Sequence, residues 1–187
     1  MRSDTHVVGA VAIQSGILLS ANIQNPDLIV GSLVVSSGGA LFPDLDHAGS
    51  YISNRYPLLG WIGLLFKHRG FTHTLLFWLL MTLGLFFGYH VGIENTWWTS
   101  NPLVYPGIAF FVTGGLSHLF LDSMTPSGTP FLWPLSTKRY SLNICKTGSI
   151  LERIIELGFI ILSAVVLAQL YGYTVPELIN QLLSKIN

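Results

Sequence analysis

Acidic and imidazole side chains concentrate in two short stretches of an otherwise apolar chain. The first stretch reads Pro-Asp-Leu-Asp-His at residues 43–47, and the second reads His-Arg-Gly-Phe-Thr-His at residues 68–73. Carboxylate oxygens and imidazole nitrogens bind divalent cations such as zinc and manganese. The pattern therefore predicts a metal site with ligands from both stretches. His47 and His68 are also explained as solvated loop residues.

Further candidates have the spacing of one helical turn. His118 and Asp122 are four residues apart, as are Glu152 and Glu156, so each pair shares one face of a helix. A single pair of this kind is equally explained as a satisfied polar contact between helices. The combination favours metal binding, because ionisable groups at membrane depth are costly and usually functional. The predicted ligands are His6, Asp44, Asp46, His68, His73, His118, Asp122 and Glu152.

The spacing of the two aspartates allows two interpretations. Asp44 and Asp46 flank one leucine, so an extended backbone would turn both carboxylates to the same side. An aspartate that follows a proline is also typical of a simple capping turn. Both interpretations remain open from the sequence.

The composition indicates lipid as the solvent of this chain. Half of its 187 residues are hydrophobic, 10% are charged, and the mean hydropathy is +0.56. A soluble domain carries about 25% charged residues. The formal net charge of zero gives no basic face for nucleic acid. The single cysteine, Cys145, forms no internal disulfide and is interpreted as a small hydrophobic residue.

Five apolar segments approach the roughly 20 residues needed to cross a bilayer. We interpret the first as an uncleaved membrane helix rather than a signal peptide. The predicted fold is an all-α polytopic membrane bundle of about five helices, forming one domain over residues 1–187. The segments cover residues 6–23, 28–42, 71–93, 102–122 and 150–171.

The positively charged residues predict the orientation of the bundle. If the five segments alternate in direction, all but one of the Lys and Arg residues fall on one side, and only Lys185 lies on the other. Such residues concentrate in cytoplasmic loops. The ligand candidates fall on this same side, whereas His90 lies at the opposite end and is excluded. We therefore expect a multi-pass inner-membrane protein with a cytoplasmic metal site.

Three motifs in order resemble those of the YdjM-like inner-membrane proteins. They are the stretches at residues 44–47 and 68–73, and Ser-His-Leu-Phe-Leu-Asp at residues 117–122, followed by Thr-Pro-Ser-Gly at 125–128. The resemblance implies a LexA-regulated, membrane-bound, metal-dependent hydrolase. That family is distantly similar to zinc-dependent phospholipase C and P1 nuclease. This second similarity implies a related helical core with one to three zinc ions, bound by His118, Asp122, His73 and an aspartate from Asp44 or Asp46.

The resulting hypothesis is a phosphoesterase that acts on a lipid phosphate or another phosphoester at the membrane surface. A bound metal lowers the pKa of its water to about 7. Asp46 or Glu152 is predicted as the general base, and Arg69 as the residue that neutralises the phosphate. Membrane lipids are the expected partners. Two alternatives remain: a metal site that is only structural, and a metal or proton transporter, which requires polar groups across the bilayer.

Overall fold

The computed structural model describes residues 1–46, 70–174, 176, 177 and 184, with the backbone alone at residues 45 and 46. Within this part of the chain the fold is all-helical and contains five α-helices and no strand, which confirms the predicted class. Two short 3₁₀ turns, Pro43–Asp46 and Phe71–His73, interrupt the connection between the second and third helices. The helices are α1 (Ser3–Ser20), α2 (Pro26–Leu41), α3 (Leu75–Glu94), α4 (Val104–Ser123) and α5 (Ile150–Leu170).

Side-chain caps determine where three of the helices begin. The side chain of Asn25 accepts a hydrogen bond from the backbone of α2, which also has a proline in its first turn. The side chain of Ser149 accepts a hydrogen bond from the backbone of α5. The hydroxyl of Thr74 accepts from Phe77 N at 3.1 Å, so α3 starts after this threonine. His73 therefore lies in the preceding 3₁₀ turn, where its side chain is not constrained to the face of a long helix.

Glycines bring α2 and α4 into backbone contact near the end of α2. A Cβ atom at Gly39 would lie 2.0 Å from Phe111 O, and one at Gly114 would lie 1.9 Å from Ser36 O. Such close approach is typical of helix pairs in membranes, where small residues form the interface. The indole ring of Trp78 from α3 covers Gly115 in the same way. This packing fixes the end of α2 beside residues 111–115 of α4, about one turn before His118.

The helices alternate in direction, so the bundle has two distinct ends. At one end a buried cluster joins Leu18 of α1, Ile29 of α2 and Val166 of α5. At the other end Met1 and Cys145 pack on Leu121 of α4. The end of α4 and the start of α1 consequently meet at this second end, which also receives both 3₁₀ turns.

The outer surface of the bundle is apolar to a degree that suits lipid contact. On α3, Leu79, Leu83 and Phe87 are 56%, 57% and 70% exposed. Soluble monomers rarely expose contiguous apolar patches of this kind. Helices α3 and α4 are long and apolar enough to cross a membrane, and α2 is a shorter apolar helix. That all five helices cross the bilayer stays a prediction.

Candidate metal centre

His118 on α4 is fully buried, and its ring orientation is determined by the backbone of α2. Its Nδ1 lies 2.7 Å from the carbonyl oxygen of Ala40. A carbonyl only accepts hydrogen bonds, so Nδ1 carries the ring proton and Nε2 presents a lone pair. Histidine ligands in metal sites are oriented in this way, by a hydrogen bond from the ring nitrogen that does not bind the metal.

The Nε2 atom of His118 faces carboxylate oxygens from two elements. It lies 3.7 Å from Asp44 Oδ1 and 3.9 Å from Asp122 Oδ2, and it has no hydrogen-bond partner among the described residues. A lone pair directed at negatively charged oxygens is unfavourable unless a cation lies between them. Two atoms that each lie about 2.1 Å from one zinc ion are about 3–4 Å apart. The three residues therefore fit a divalent metal by both chemistry and distance.

His6 extends this group from α1. Its Nε2 lies 3.3 Å from Asp122 Oδ1, and its ring stacks on that of His118 with centroids 3.7 Å apart and planes 11° apart. The ligand atoms of His6, His118 and Asp122 all lie within 4.8 Å of one another. All three side chains are buried, so this group lies on the interior side of the centre.

A second group is formed by the two 3₁₀ turns together with α4. The ligand atoms of Asp44, His73 and His118 also lie within 4.8 Å of one another. The hydroxyl of Thr72 donates to Pro43 O at 3.3 Å and lies 3.1 Å from Nδ1 of His73, so it is placed to accept the proton of that nitrogen. This leaves Nε2 of His73 directed at Asp122 Oδ2, 3.8 Å away.

Asp122 lies between the two groups. Its Oδ1 contacts His6 and forms a close ion pair with the N-terminal amine of Met1, while its Oδ2 faces His73 and His118. Its side chain is 1% exposed, whereas that of Asp44 is 19% exposed. The centre is therefore closed on the Asp122 side, and Asp44 is the most exposed of the ligand candidates whose side chains the structure describes.

Glu152 lies outside both groups of ligand atoms, in contrast to the prediction that it binds metal or acts as the base. Its Oε1 accepts from Arg2 N at 2.8 Å and from the Thr5 hydroxyl at 3.3 Å, and its Oε2 accepts from Gly148 N. Both oxygens are thus used to tie the start of α1 to the start of α5. Glu156 instead pairs with Arg153 at 2.6 Å.

We expect Glu152→Gln to destabilise the protein without removing its metal. The amide nitrogen of glutamine would face a backbone N–H, which leaves a buried donor unsatisfied at a cost of about 1–3 kcal/mol. The melting temperature should fall, while the metal content of the folded fraction stays at the wild-type value. Glu156→Gln is the matched control and should change stability by less than about 1 kcal/mol, because its partner Arg153 is largely exposed. A variant with wild-type stability and no metal would show that Glu152 is a ligand.

Several residues that the sequence analysis singled out lie outside the part of the chain that the structure describes. His68 and Arg69 are not among the described residues, and neither is His47. Asp46 ends the first 3₁₀ turn, but its side chain is not described. Of the two interpretations of residues 44–46, the structure has the turn and not the extended backbone. Phe42 keeps helical φ and ψ angles of −62° and −42° at the end of α2, and proline's restricted φ continues that winding into a 3₁₀ turn.

Sequence reasoning missed the groups that orient the imidazoles. The position of Thr72 next to His73 was a detectable signal, whereas nothing in the sequence marks the carbonyl of Ala40.

Cys145 agrees with its interpretation as a small hydrophobic residue, since it is 5% exposed. Burial raises the pKa of its thiol, and the nearby Glu152 carboxylate raises it further. The thiol is therefore protonated at neutral pH and unsuited to act as a nucleophile.

An all-helical bundle with apolar outer faces and a buried cluster of histidine and aspartate defines a membrane protein with a candidate metal centre. The chain belongs to the YdjM inner membrane protein family, whose model matches residues 1–175. It is similar to "Uncharacterized protein YvsG" of Bacillus subtilis (strain 168), with 34% identity over 165 residues that cover 87% of this chain and 92% of the relative.

Relatives in Escherichia coli (strain K12) carry the name inner membrane protein. "Inner membrane protein YdjM" is 34% identical over 128 residues, which are 66% of this chain and 60% of that protein. "Inner membrane protein YbcI" is 29% identical over 137 residues, covering 70% and 67% of the two chains. The chain thus aligns with less than two thirds of YdjM. No solved structure matches this chain, so the similarity to phospholipase C and P1 nuclease stays a prediction.

Proposed function

We propose that the protein is a membrane-bound, metal-dependent hydrolase, most simply a phosphoesterase that acts on a lipid phosphate or another phosphoester. One observation supports this proposal more than any other. The buried Nε2 lone pair of His118 faces carboxylate oxygens of Asp44 and Asp122, an arrangement that a cation bound between these atoms would stabilise. Membership of an inner-membrane family supports the membrane location.

Zinc is the metal that suits the ligand set best, with manganese as the alternative, because imidazole nitrogen is combined with carboxylate oxygen. His6, His118 and Asp122 would hold the ion, or Asp44, His73 and His118 would hold it in an alternative position, because the single Nε2 lone pair of His118 binds one ion at a time. When bound, the metal supplies an activated water and polarises the phosphoryl oxygens. The two oxygens of Asp122 point at different histidines, which suits a carboxylate shared between two positions.

The chain's own residues would supply the remaining chemistry. Asp44 is the partly exposed ligand, so the substrate would approach from its side. Asp46 remains the predicted general base, since both oxygens of Glu152 are occupied by hydrogen-bond donors. Arg69 remains the residue predicted to neutralise the phosphate. Both roles follow from the motifs at residues 43–47 and 68–73 rather than from a described geometry.

Orientation in the membrane is part of the proposal. Arg2 and Arg153 lie at the end of the bundle that contains the centre, because both contact Asp4 in the first turn of α1. Arg139 lies there too, within 3.4 Å of carbonyl oxygens in the loop that follows α4. Positive residues favour the cytoplasmic side. A multi-pass topology with the centre at the inner face would give it access to lipid headgroups.

Metal analysis of the purified protein, followed by hydrolysis assays on a soluble phosphodiester and on lipid phosphates, tests this function. We expect a divalent metal in near-stoichiometric amount and hydrolysis that is lost on chelation and restored by zinc or manganese. Asp122→Asn should lower kcat/KM at least 100-fold. Metal without hydrolysis of any phosphoester would favour the structural role, and a folded protein that binds no metal would refute the hydrolase.

One observation favours a transporter as the second candidate. The side-chain amide of Gln14 on α1 and the hydroxyl of Ser36 on α2 are buried and have no hydrogen-bond partners within the described part of the chain. Gln14 lies two helical turns from His6, about 12 Å further into the bundle. Buried polar groups inside a membrane protein often mark a path for ions or water. Uptake of zinc into proteoliposomes, absent in Gln14→Leu, would support transport over hydrolysis.

A further inference from the structure

A cavity of about 650 Å³ lies against the first two turns of α1 and the last turn of α2. Its volume falls in the range of about 300–1,000 Å³ that is usual for small-molecule sites. None of the ligand candidates of the metal centre is among its described lining residues. Those residues are Arg2, Ser3, Asp4, Val7, Val8 and Leu41.

The cavity is adjacent to the metal centre along both helices. Val7 directly follows His6, whose ring lies in the centre, and Leu41 directly follows Ala40, whose carbonyl oxygen orients His118. A helix rises only 1.5 Å per residue. A molecule in the cavity would therefore extend from the immediate neighbourhood of the ligands outward over α1 and α2.

The lining changes from apolar to polar along the cavity. Val7, Val8 and Leu41 form an aliphatic wall, whereas Arg2, Ser3 and Asp4 form a polar rim at the start of α1. At the rim Arg2 pairs with Asp4 at 3.3 Å, and both side chains are 43% exposed. Asp4 also forms an ion pair with Arg153 at 3.1 Å. Such a lining suits an amphipathic ligand with an alkyl chain and a charged or dipolar head.

We propose that this cavity binds an acyl chain of a phospholipid and thereby places the lipid's phosphate at the metal centre. The inference rests on the proposed hydrolase function and assigns its substrate class. A lipid is the occupant that fits the surroundings, because the chain belongs to an inner-membrane family and its outer faces are apolar. Val7, Val8 and Leu41 would make dispersion contacts with that acyl chain, which a soluble phosphodiester lacks.

The first experiment measures selectivity for a lipid substrate over a soluble one. Val7→Trp and Val8→Trp would fill the cavity, and Val30→Trp, at a position that is 54% exposed on α2, is the control. The readout is the ratio of kcat/KM for a dioleoyl phospholipid to that for a soluble phosphodiester. We expect the ratio to fall at least tenfold in the two cavity variants and to stay at the wild-type value in Val30→Trp. An unchanged ratio in both cavity variants would overturn the inference.

The second experiment detects lipid binding without depending on catalysis. Wild-type protein in vesicles of phosphatidylglycerol and phosphatidylethanolamine is photolysed with a phospholipid that carries a diazirine on its acyl chain. We expect labelled peptides that contain residues 2–8 and residue 41, with labelling reduced in Val8→Trp but not in Val30→Trp.

The two measurements separate failure of the inference from failure of the proposed function. Labelling at these residues without hydrolysis of either substrate would refute the hydrolase and retain the lipid site. Hydrolysis of both substrates without labelling at these residues, or with labelling confined to the outer faces of α3 and α5, would refute the lipid site and retain the hydrolase.

Discussion

His118→Ala is expected to reduce the metal content of the purified protein to less than one tenth of the wild-type value. His118 belongs to both groups of ligand atoms, so its loss removes a ligand from each. The other candidates then offer one imidazole and one carboxylate to each position, too few for a stable site. Metal analysis of protein purified in detergent, normalised to protein concentration, measures the effect.

His90→Ala is the matched control for this experiment. His90 lies at the far end of α3, where its Nε2 contacts the Tyr105 hydroxyl at 3.1 Å in an exposed position. Its replacement should leave the metal content unchanged. Because the alanine at position 118 also removes the partner of the Ala40 carbonyl, Asp122→Asn serves as a second variant of nearly unchanged volume. Wild-type metal content in both folded variants would refute the centre.

Gly39→Ala is expected to lower stability by about 1–3 kcal/mol, the cost of overpacking a close contact. Its Cβ would lie 2.0 Å from Phe111 O and 3.2 Å from Gly115 N, and these backbone atoms have little room to move. Helix α2 would therefore shift away from α4, and the carbonyl of the next residue, Ala40, would move away from His118. A loss of metal affinity should accompany the loss of stability, as measured by thermal unfolding and zinc titration.

Gly38→Ala provides the control one residue earlier. A Cβ at Gly38 has no atom within 4 Å, so alanine only removes the entropic cost of glycine in a helix, about 0.5–1 kcal/mol. The Gly38→Ala protein should be as stable as wild type or slightly more stable, with unchanged zinc affinity. Equal effects of the two substitutions would show that α2 and α4 are not in backbone contact.

The sequence predicts the helices well because their signals are local. The apolar segments at 102–122 and 150–171 match α4 and α5 within two residues at each end, since Pro, Ser and Asn near the boundaries start and stop helices by their own chemistry. Five of the predicted ligands lie together in the two groups of ligand atoms: His6, Asp44, His73, His118 and Asp122. Their placement at one end of the bundle follows from helix direction alone.

The parts that sequence reasoning did not predict depend on contacts between distant residues. Glu152 is a carboxylate spaced one helical turn from Glu156, as His118 is from Asp122, so the sequence does not distinguish it from a ligand. In the structure its oxygens accept hydrogen bonds from Arg2 N and Gly148 N. The carbonyl of Ala40 becomes the partner of His118 only because glycines let α2 approach α4. The turn at Asp44 depends on how α2 ends, which the hydropathy pattern does not indicate.

The bond between Glu152 and the backbone N–H of Arg2 has a consequence for biosynthesis. Translation proceeds from the first helix to the last, so α1 leaves the ribosome nearly 150 residues before the carboxylate that holds its start in place. Until α5 has followed, His6 belongs to a helix whose beginning lacks this restraint. The start of α1 is therefore fully restrained only after α5 has been made, and a nascent chain arrested before Glu152 would hold its first helix less firmly.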